Sequence, residues 1–398
     1  MAYLRNSAVN RLNLHYGLHA LVMNGAGAFF VVFLLKAGVS TPVVFGAIAL
    51  LLAGRFSIRP LVIVLAPRFG LKAVVISGTI LTAVQYPLLA EVHGMDWALL
   101  AFCAAGALGD ALYWTSYHAY FASLGDSIHR GHQVAAREAL GSLAAIIGPL
   151  AGGWALMALG PRAAFGIAAV CQLLAALPLL RTPEVYVAAK MRNVFAEALP
   201  SAALFATDSW MCMSYVFAWQ IALFLSLGES FSAFGGVLAL AAAIGALTGL
   251  LLGKYIDAGH GRRAVWLTFA GMVAVTIARA LSTQDSTAAV IANAAGALVG
   301  CLYIPTLMTN IYNEAKRSRC PLRFHLILEG GWDFGGISGC VVITLLTAFG
   351  VPLSFVVLLA LPGIFVWAVL LRRSYEKPQK AETLLGSLPL APSALGRE

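Results

Sequence analysis

The chain has 398 residues, of which 60% are hydrophobic and only 11% charged, with a mean hydropathy of +0.85 and a formal net charge of +9. Soluble domains are roughly half apolar and a quarter charged, so a water-soluble globule is excluded. A bilayer core about 30 Å thick needs about 20 apolar residues per helix at about 1.5 Å rise each, and this length holds twelve such spans with short connections.

Apolar runs predict helices over 12–35, 42–66, 73–92, 96–124, 138–160 and 163–180 in the first half. The second half predicts 200–227, 231–252, 264–282, 286–313, 324–349 and 352–371. The runs are about twice the length of a membrane strand and lack period-2 alternation, which excludes a barrel. Thr41 with Pro42, Asp96 before Trp97, and Asp285 with Ser286 read as helix starts, while Gly160 followed by Pro161 stops one helix and opens the next. Arg5 and Arg11 precede an apolar segment too long for a signal peptide, which stays as the first helix. The expected architecture is an all-α integral membrane protein of twelve transmembrane helices in two pseudo-symmetric six-helix bundles. The bundles cover 1–180 and 200–372, joined by a cytoplasmic loop over 181–199 and followed by a disordered cytoplasmic tail over 373–398.

Sidedness follows from the basic residues. Every second loop together with both termini collects 21 of the 26 Lys and Arg, whereas the opposite loops hold Lys36 and Arg162, with Arg279 near an outer helix end. Both termini are therefore expected in the cytoplasm, with the protein in the plasma (inner) membrane. The positive charge reflects topology and attraction to anionic lipid, not nucleic-acid binding. The six cysteines form no CxxC pair and imply neither a disulfide framework nor a zinc site.

The halves repeat. Ala66-Pro67-Arg68-Phe69-Gly70-Leu71-Lys72 after the second helix matches Asp257-Ala258-Gly259-His260-Gly261-Arg262-Arg263 after the eighth, with Gly70 and Gly261 aligned. Six helices followed by six, both starting on one side, mean parallel repeats about an axis along the membrane normal. At these residues the chain resembles the major facilitator superfamily, whose loop motif G-x-L-A-D-R-F-G-R-K recurs after helices 2 and 8. Gly253, Asp257, Gly261, Arg262 and Arg263 fit it with one extra residue; the first copy keeps Arg68, Gly70 and Lys72 but has Pro67 at the acidic place. Gly148, Pro149, Gly152 and Gly153 in helix 5 are similar to the family's antiporter motif G-x-x-x-G-P-x-x-G-G, with Ala144 in its first place. Small residues allow close helix approach and Pro bends the helix, giving a packing and hinge element.

Charge inside the membrane is costly and points to function. The resemblance places helices 2 and 11 against each other between the halves. Arg59 and Glu329 then lie roughly 10 Å, and Arg55 and Asp333 roughly 15 Å, inside the inner boundary, each set at i, i+4 spacing. The expected gate pairs Arg59 with Glu329 and Arg55 with Asp333, with Asp257, Arg262 and Arg263 as further gate residues. The competing account has Arg59 snorkelling to the headgroups and Glu329 in water near its helix end.

The resemblance also implies that helices 1, 4, 7 and 10 line a central cavity. In helix 4, Asp110, Trp114, Tyr117, His118 and Phe121 share one face. Asp110 is the first candidate for proton binding or for contact with a substrate cation. Helix 7 repeats the pattern with Asp208, Cys212, Tyr215 and Trp219; helix 1 offers His19 and Asn24, and helix 10 offers Asn293 and Tyr303. Helix packing is the competing account of these aromatic stripes. His15 and His19 have metal-pair spacing, but two such residues near a helix end are more often hydrogen-bonded, so no metal and no cofactor is assigned.

No Walker A loop is present, which excludes ATP as the driving force. The expected function is secondary active transport of a small molecule by alternating access, proton-coupled, with export by antiport preferred. The rivals are an uptake symporter for a metabolite, and a receptor, scramblase or assembly factor on the same scaffold; an intramembrane enzyme ranks below them. The expected partners are the substrate, protons and lipid, with the chain acting as a monomer.

Overall fold

The computed structural model describes residues 6–125, 130–187, 194–257 and 261–386. Among these are twelve helices long and apolar enough to cross a membrane, and no strand. We number them α1 (Ser7–Lys36), α2 (Thr41–Ile58), α3 (Leu71–Ala90), α4 (Trp97–Leu124), α5 (His132–Ala158), α6 (Pro161–Leu180), α7 (Phe195–Ser226), α8 (Phe231–Gly249), α9 (Ala264–Leu281), α10 (Ser286–Ala315), α11 (Leu322–Ala348) and α12 (Leu353–Tyr375). The end of the bundle at which α1 begins and α12 finishes is the terminal face; the other is the far face.

Local chemistry sets the helix limits. Asp96 caps α4 by accepting a hydrogen bond from the Leu99 amide at 3.0 Å, and Asp285 caps α10 from the Ala288 amide at 2.8 Å. These are corresponding helices of the two halves, and each begins on the same device. α2 stops earlier than the apolar run suggests. Arg59 and Pro60 form a turn, and a separate short helix spans Leu61–Phe69, because Pro60 has no amide hydrogen to continue the ladder. At the other end, the last helix continues to Gly386, so 373–386 is helical rather than part of a disordered tail; its Glu, Lys, Gln and Ala favour helix.

The pairing of helices repeats with a period of six. In the first half α1 packs on α5, α3 on α4 and α6, and α2 on α4; in the second α7 packs on α11, α9 on α10 and α12, and α8 on α10. The α1–α5 and α7–α11 crossings share a physical basis. A Cβ on Gly152 would overlap the Gly25 carbonyl, and one on Gly335 would overlap the Ala206 carbonyl, so backbone meets backbone at both.

The halves join along two seams, α2 with α11 and α5 with α8. At the far face an aromatic cluster spans both halves, with Phe29 edge-on to Phe234 at 5.5 Å and Phe224 stacked on Phe231 at 5.4 Å. Lys36 and Glu229 add an exposed ion pair across the same face at 2.9 Å.

Candidate functional site

The α2–α11 seam is ionic. Arg55 in the last turn of α2 and Arg59 just beyond its end stand four residues apart, and both reach Asp333 of α11, which is fully buried. Arg55 donates through Nε to Asp333 Oδ1 at 2.5 Å, while Arg59 donates through Nε and Nη2 to Oδ2 at 3.0 and 2.5 Å. Two further carboxylates flank this centre: Asp110 of α4 lies 3.5 Å from Arg55 and Glu329 of α11 lies 3.6 Å from Arg59. Arg59 also donates to Thr115 Oγ1 at 2.9 Å, and the Arg55 guanidinium sits 4.8 Å over the Trp332 ring. Such charge-assisted, multiply bonded geometry is what a low-dielectric interior requires of a charge.

The one-to-one pairing expected from sequence is therefore revised. Asp333 serves both arginines, and Glu329 is a looser second partner of Arg59. Snorkelling is also excluded for Arg59, which is 2% exposed and turned into the seam. Because Asp333 is shared, exchanging it with Arg55 would set two cations beside each other; simple charge reversal has no route to rescue here.

Beside the seam lies a cavity of about 430 Å³ between the halves. Asp110, Trp114 and His118 of α4 line it, as do Arg55, Glu329 and Trp332. Phe30 and Phe217 approach edge-on at 5.7 Å on its far side, and His118 stacks on His325 at 5.5 Å on its terminal side. The side chains of Asp110 and Glu329 are 21% and 12% exposed, against 0% for Asp333. The three acids and two arginines leave an excess of one negative charge, borne by the two acids that face the space.

Several expected cavity residues lie elsewhere. Tyr117 is fully buried inside the first half, stacked on Tyr113 at 5.5 Å. His19 joins the same ring stack, 4.2 Å from Tyr113, with its Nδ1 against Gln172 of α6. Asp110, Trp114 and His118 keep the i, i+4 line of helix 4 toward the cavity, whereas Tyr117 projects about 60° to one side of Trp114 and about 100° from His118. Asn24 donates to the Ala20 carbonyl at 2.7 Å and lies over Gly148 at the α1–α5 crossing. Gly148 and Gly152 belong to that crossing, while Gly153 and the Pro149 carbonyl meet α8 at Phe231 and Gly235.

In the second half, Asp208 accepts from the Tyr303 hydroxyl and from Trp332 Nε1 at 3.3 Å, so it stands behind the cavity wall with neutral partners. Trp219 is buried and donates to Asn293 Oδ1 at 3.0 Å. The single stripe Asp208, Cys212, Tyr215, Trp219 is broken, because Met213–Ala218 is a π-helical turn, which takes more residues per turn and so shifts the α-helical period. Tyr215 consequently faces α9, where Arg279 donates to its carbonyl at 2.7 Å. The side chains of Asp257, Arg262 and Arg263 lie outside the described residues.

Glu184 supplies an acid at the first loop motif, where Pro67 stands in the acidic place. It accepts from the Lys72 amide at 2.8 Å and packs on Gly70, whose φ of 84° and missing Cβ make room for the carboxylate. Sequence reasoning also passed over His325 and Trp332. His325 carries a usable signal, since it precedes Glu329 and Asp333 at i, i+4 and i+8 on one face of α11. Trp332 carries a similar one, standing three residues after Glu329 and seven after His325 on the cavity side of α11.

The sequence model described as Major Facilitator Superfamily matches residues 12–197, the first six helices and the start of the seventh. A solved structure described as an auto-inhibited POT family peptide transporter is similar in fold, with a TM-score of 0.64 at 14% identity, covering 92% of this chain and 97% of the other. No curated protein matches the sequence.

Proposed function

The chain belongs to the Major Facilitator Superfamily, and we propose that it is a proton-coupled secondary transporter that exchanges protons for a small organic cation by alternating access. The observation that carries this reading is the position of Asp110 and Glu329. Both line the cavity and share one negative charge that the arginines leave uncompensated. A proton neutralises that charge in the empty site, and a cationic group on the substrate neutralises it in the loaded site. Each then displaces the other, which couples their movements in opposite directions. Trp114, Trp332, Phe30 and Phe217 offer ring faces and edges to the apolar body of such a molecule.

In this account the Arg55–Asp333–Arg59 seam and the His118–His325 stack close the terminal face, and that face is the cytoplasmic one, a reading supported by the excess of Lys and Arg on its side. The proton gradient of a plasma membrane then drives the cation outward.

The test is proton release on binding. In weakly buffered detergent solution, tetraphenylphosphonium added to the purified protein is expected to release protons in proportion to binding, and an Asp110→Asn, Glu329→Gln double variant is expected to release none. Proton uptake together with an anionic or zwitterionic solute would instead support the uptake symporter. Absence of both, with no solute bound, would support a non-transporting scaffold.

A further inference from the structure

Arg279 has no part in the cavity or the gate, yet its placement is costly. It is 5% exposed near the far end of α9, and no carboxylate pairs with it among the described residues. Its Nε has no hydrogen-bond partner. A cation buried on these terms persists only where the surroundings demand it. The demand comes from α7. The guanidinium lies 4.2 Å over the Tyr215 ring and 5.0 Å over Trp219, and its Nη1 donates to the Tyr215 carbonyl. Gly296 of α10 gives it space, since a Cβ there would overlap Nη2.

Tyr215 stands inside the π-helical turn Met213–Ala218. Such a turn is a one-residue insertion in an α-helix, and it loosens the regular ladder of carbonyls and amides. Arg279 supplies a donor to one of these carbonyls and clasps the aromatic rings on either side of the surplus residue.

The flanks of the turn are held by separate anchors on α10: Asp208 by Tyr303 and Trp219 by Asn293. Eleven residue steps along α7, from 208 to 219, thus span what ten steps along α10, from 293 to 303, cover, and the π turn absorbs the difference. The terminal half of α7 supports the cavity wall through Asp208 and Trp332, while its far half belongs to the aromatic closure of the far face.

We propose that Arg279 is a positioning residue that clamps the π-helical turn of α7, and that this turn is the joint at which the far half of α7 moves independently of its cavity-bearing half during transport. The joint goes beyond the substrate and coupling proposed above, and its first test does not depend on them.

Hydrogen–deuterium exchange of the purified protein is the first measurement. Arg279→Met is expected to raise exchange at least tenfold across 213–218 while leaving the Asp96-capped start of α4 unchanged, and Arg279→Lys is expected to fall between it and wild type. Excising Val216 provides the second variant. Removing one residue from an ordinary membrane helix rotates everything after it by about 100°, whereas removing it from a π turn restores an α-helix with both flanks in place. The Val216 deletion is therefore expected to fold, to show slow exchange over this stretch, and to make Arg279→Met silent when the two are combined.

With a transported cation in hand, Arg279→Met is expected to lower turnover at least tenfold with a clearly smaller loss of affinity, because Arg279 itself does not line the cavity while Phe217 within the loosened turn does. The proposal is overturned by unchanged exchange in Arg279→Met, by failure of the Val216 deletion to fold, or by affinity falling in step with turnover, which would make Arg279 a substrate contact. Loss of all transport in wild type with the exchange results intact would overturn the proposed function and leave the clamp standing.

Discussion

Neutralising Asp333 is the most informative perturbation of the seam. Its two oxygens hold Arg55 and Arg59 together, and in Asp333→Asn the nearest remaining carboxylates are Asp110 at 3.5 Å and Glu329 at 3.6 Å. Removing one partner of a buried ion pair costs about 3–5 kcal/mol, because the surviving charge is left in a dry site. Since the bonds run from α2 to α11, most of that cost falls on the state in which the terminal face is closed. At about 1.4 kcal/mol per decade it shifts the closed-to-open ratio by roughly 10² to a few times 10³. Cys320 reports the shift, because it packs against the buried clusters of both halves beside the start of α11. Its alkylation rate, resolved from the other cysteines by mass spectrometry, is expected to rise by up to that factor in Asp333→Asn. The Arg55→Gln, Asp333→Asn double variant, which keeps the Arg59–Glu329 pair, is expected to return most of the way to wild type. A monodisperse, helical Asp333→Asn protein with Cys320 labelling within threefold of wild type would refute the assignment of these bonds to closure.

Four further outcomes follow. Gly152→Leu, which forces a side chain into the Gly25 carbonyl, is expected to abolish folded protein, whereas Gly166→Leu, facing open space, is expected to leave the yield unchanged; expression and size exclusion decide. Lys36→Ala is expected to change transport rate by less than about fivefold, since an exposed pair contributes at most about 1 kcal/mol. His325→Ala is expected to speed Cys320 alkylation and leave cation affinity within threefold, as it opens the terminal side without touching Asp110. Glu91, at the far face beyond α3, is held below the usual carboxylate range chiefly by the hydrogen bond from Arg162. The sign for a lowered acid is that its contribution is complete above the ordinary carboxylate pKa and is lost as pH falls through the lowered one. Glu91→Gln should therefore leave the transport profile between pH 5 and 8 unchanged.

Much of the fold was legible because lipid imposes a coarse code: long apolar runs, aspartate caps at 96 and 285, and glycine-proline breaks. The ionic seam was legible for a related reason. An ionisable side chain in an apolar run is conspicuous, and i, i+4 spacing puts Arg55 with Arg59, and Glu329 with Asp333, on single faces. What the sequence hid depends on backbone departures and on shared partners. The π turn carries no residue signature, so the α7 stripe was read with the wrong period beyond Cys212. The break at Pro60 was present in the sequence but lay inside an apolar run long enough to be read as one helix. That Asp333 would serve two arginines, and that Tyr117 and His19 would stack within the first half rather than face the cavity, follows from packing between helices distant in sequence.

The measurement that bears most directly on proton-coupled exchange is lumenal pH in proteoliposomes challenged with an aromatic organic cation, comparing wild type with Asp110→Asn. The account predicts cation-dependent proton flux in wild type, opposite in direction to cation movement, and its loss in Asp110→Asn while cation–cation exchange at equilibrium persists. Cation movement without proton movement in wild type, or undiminished proton flux in Asp110→Asn, would contradict it.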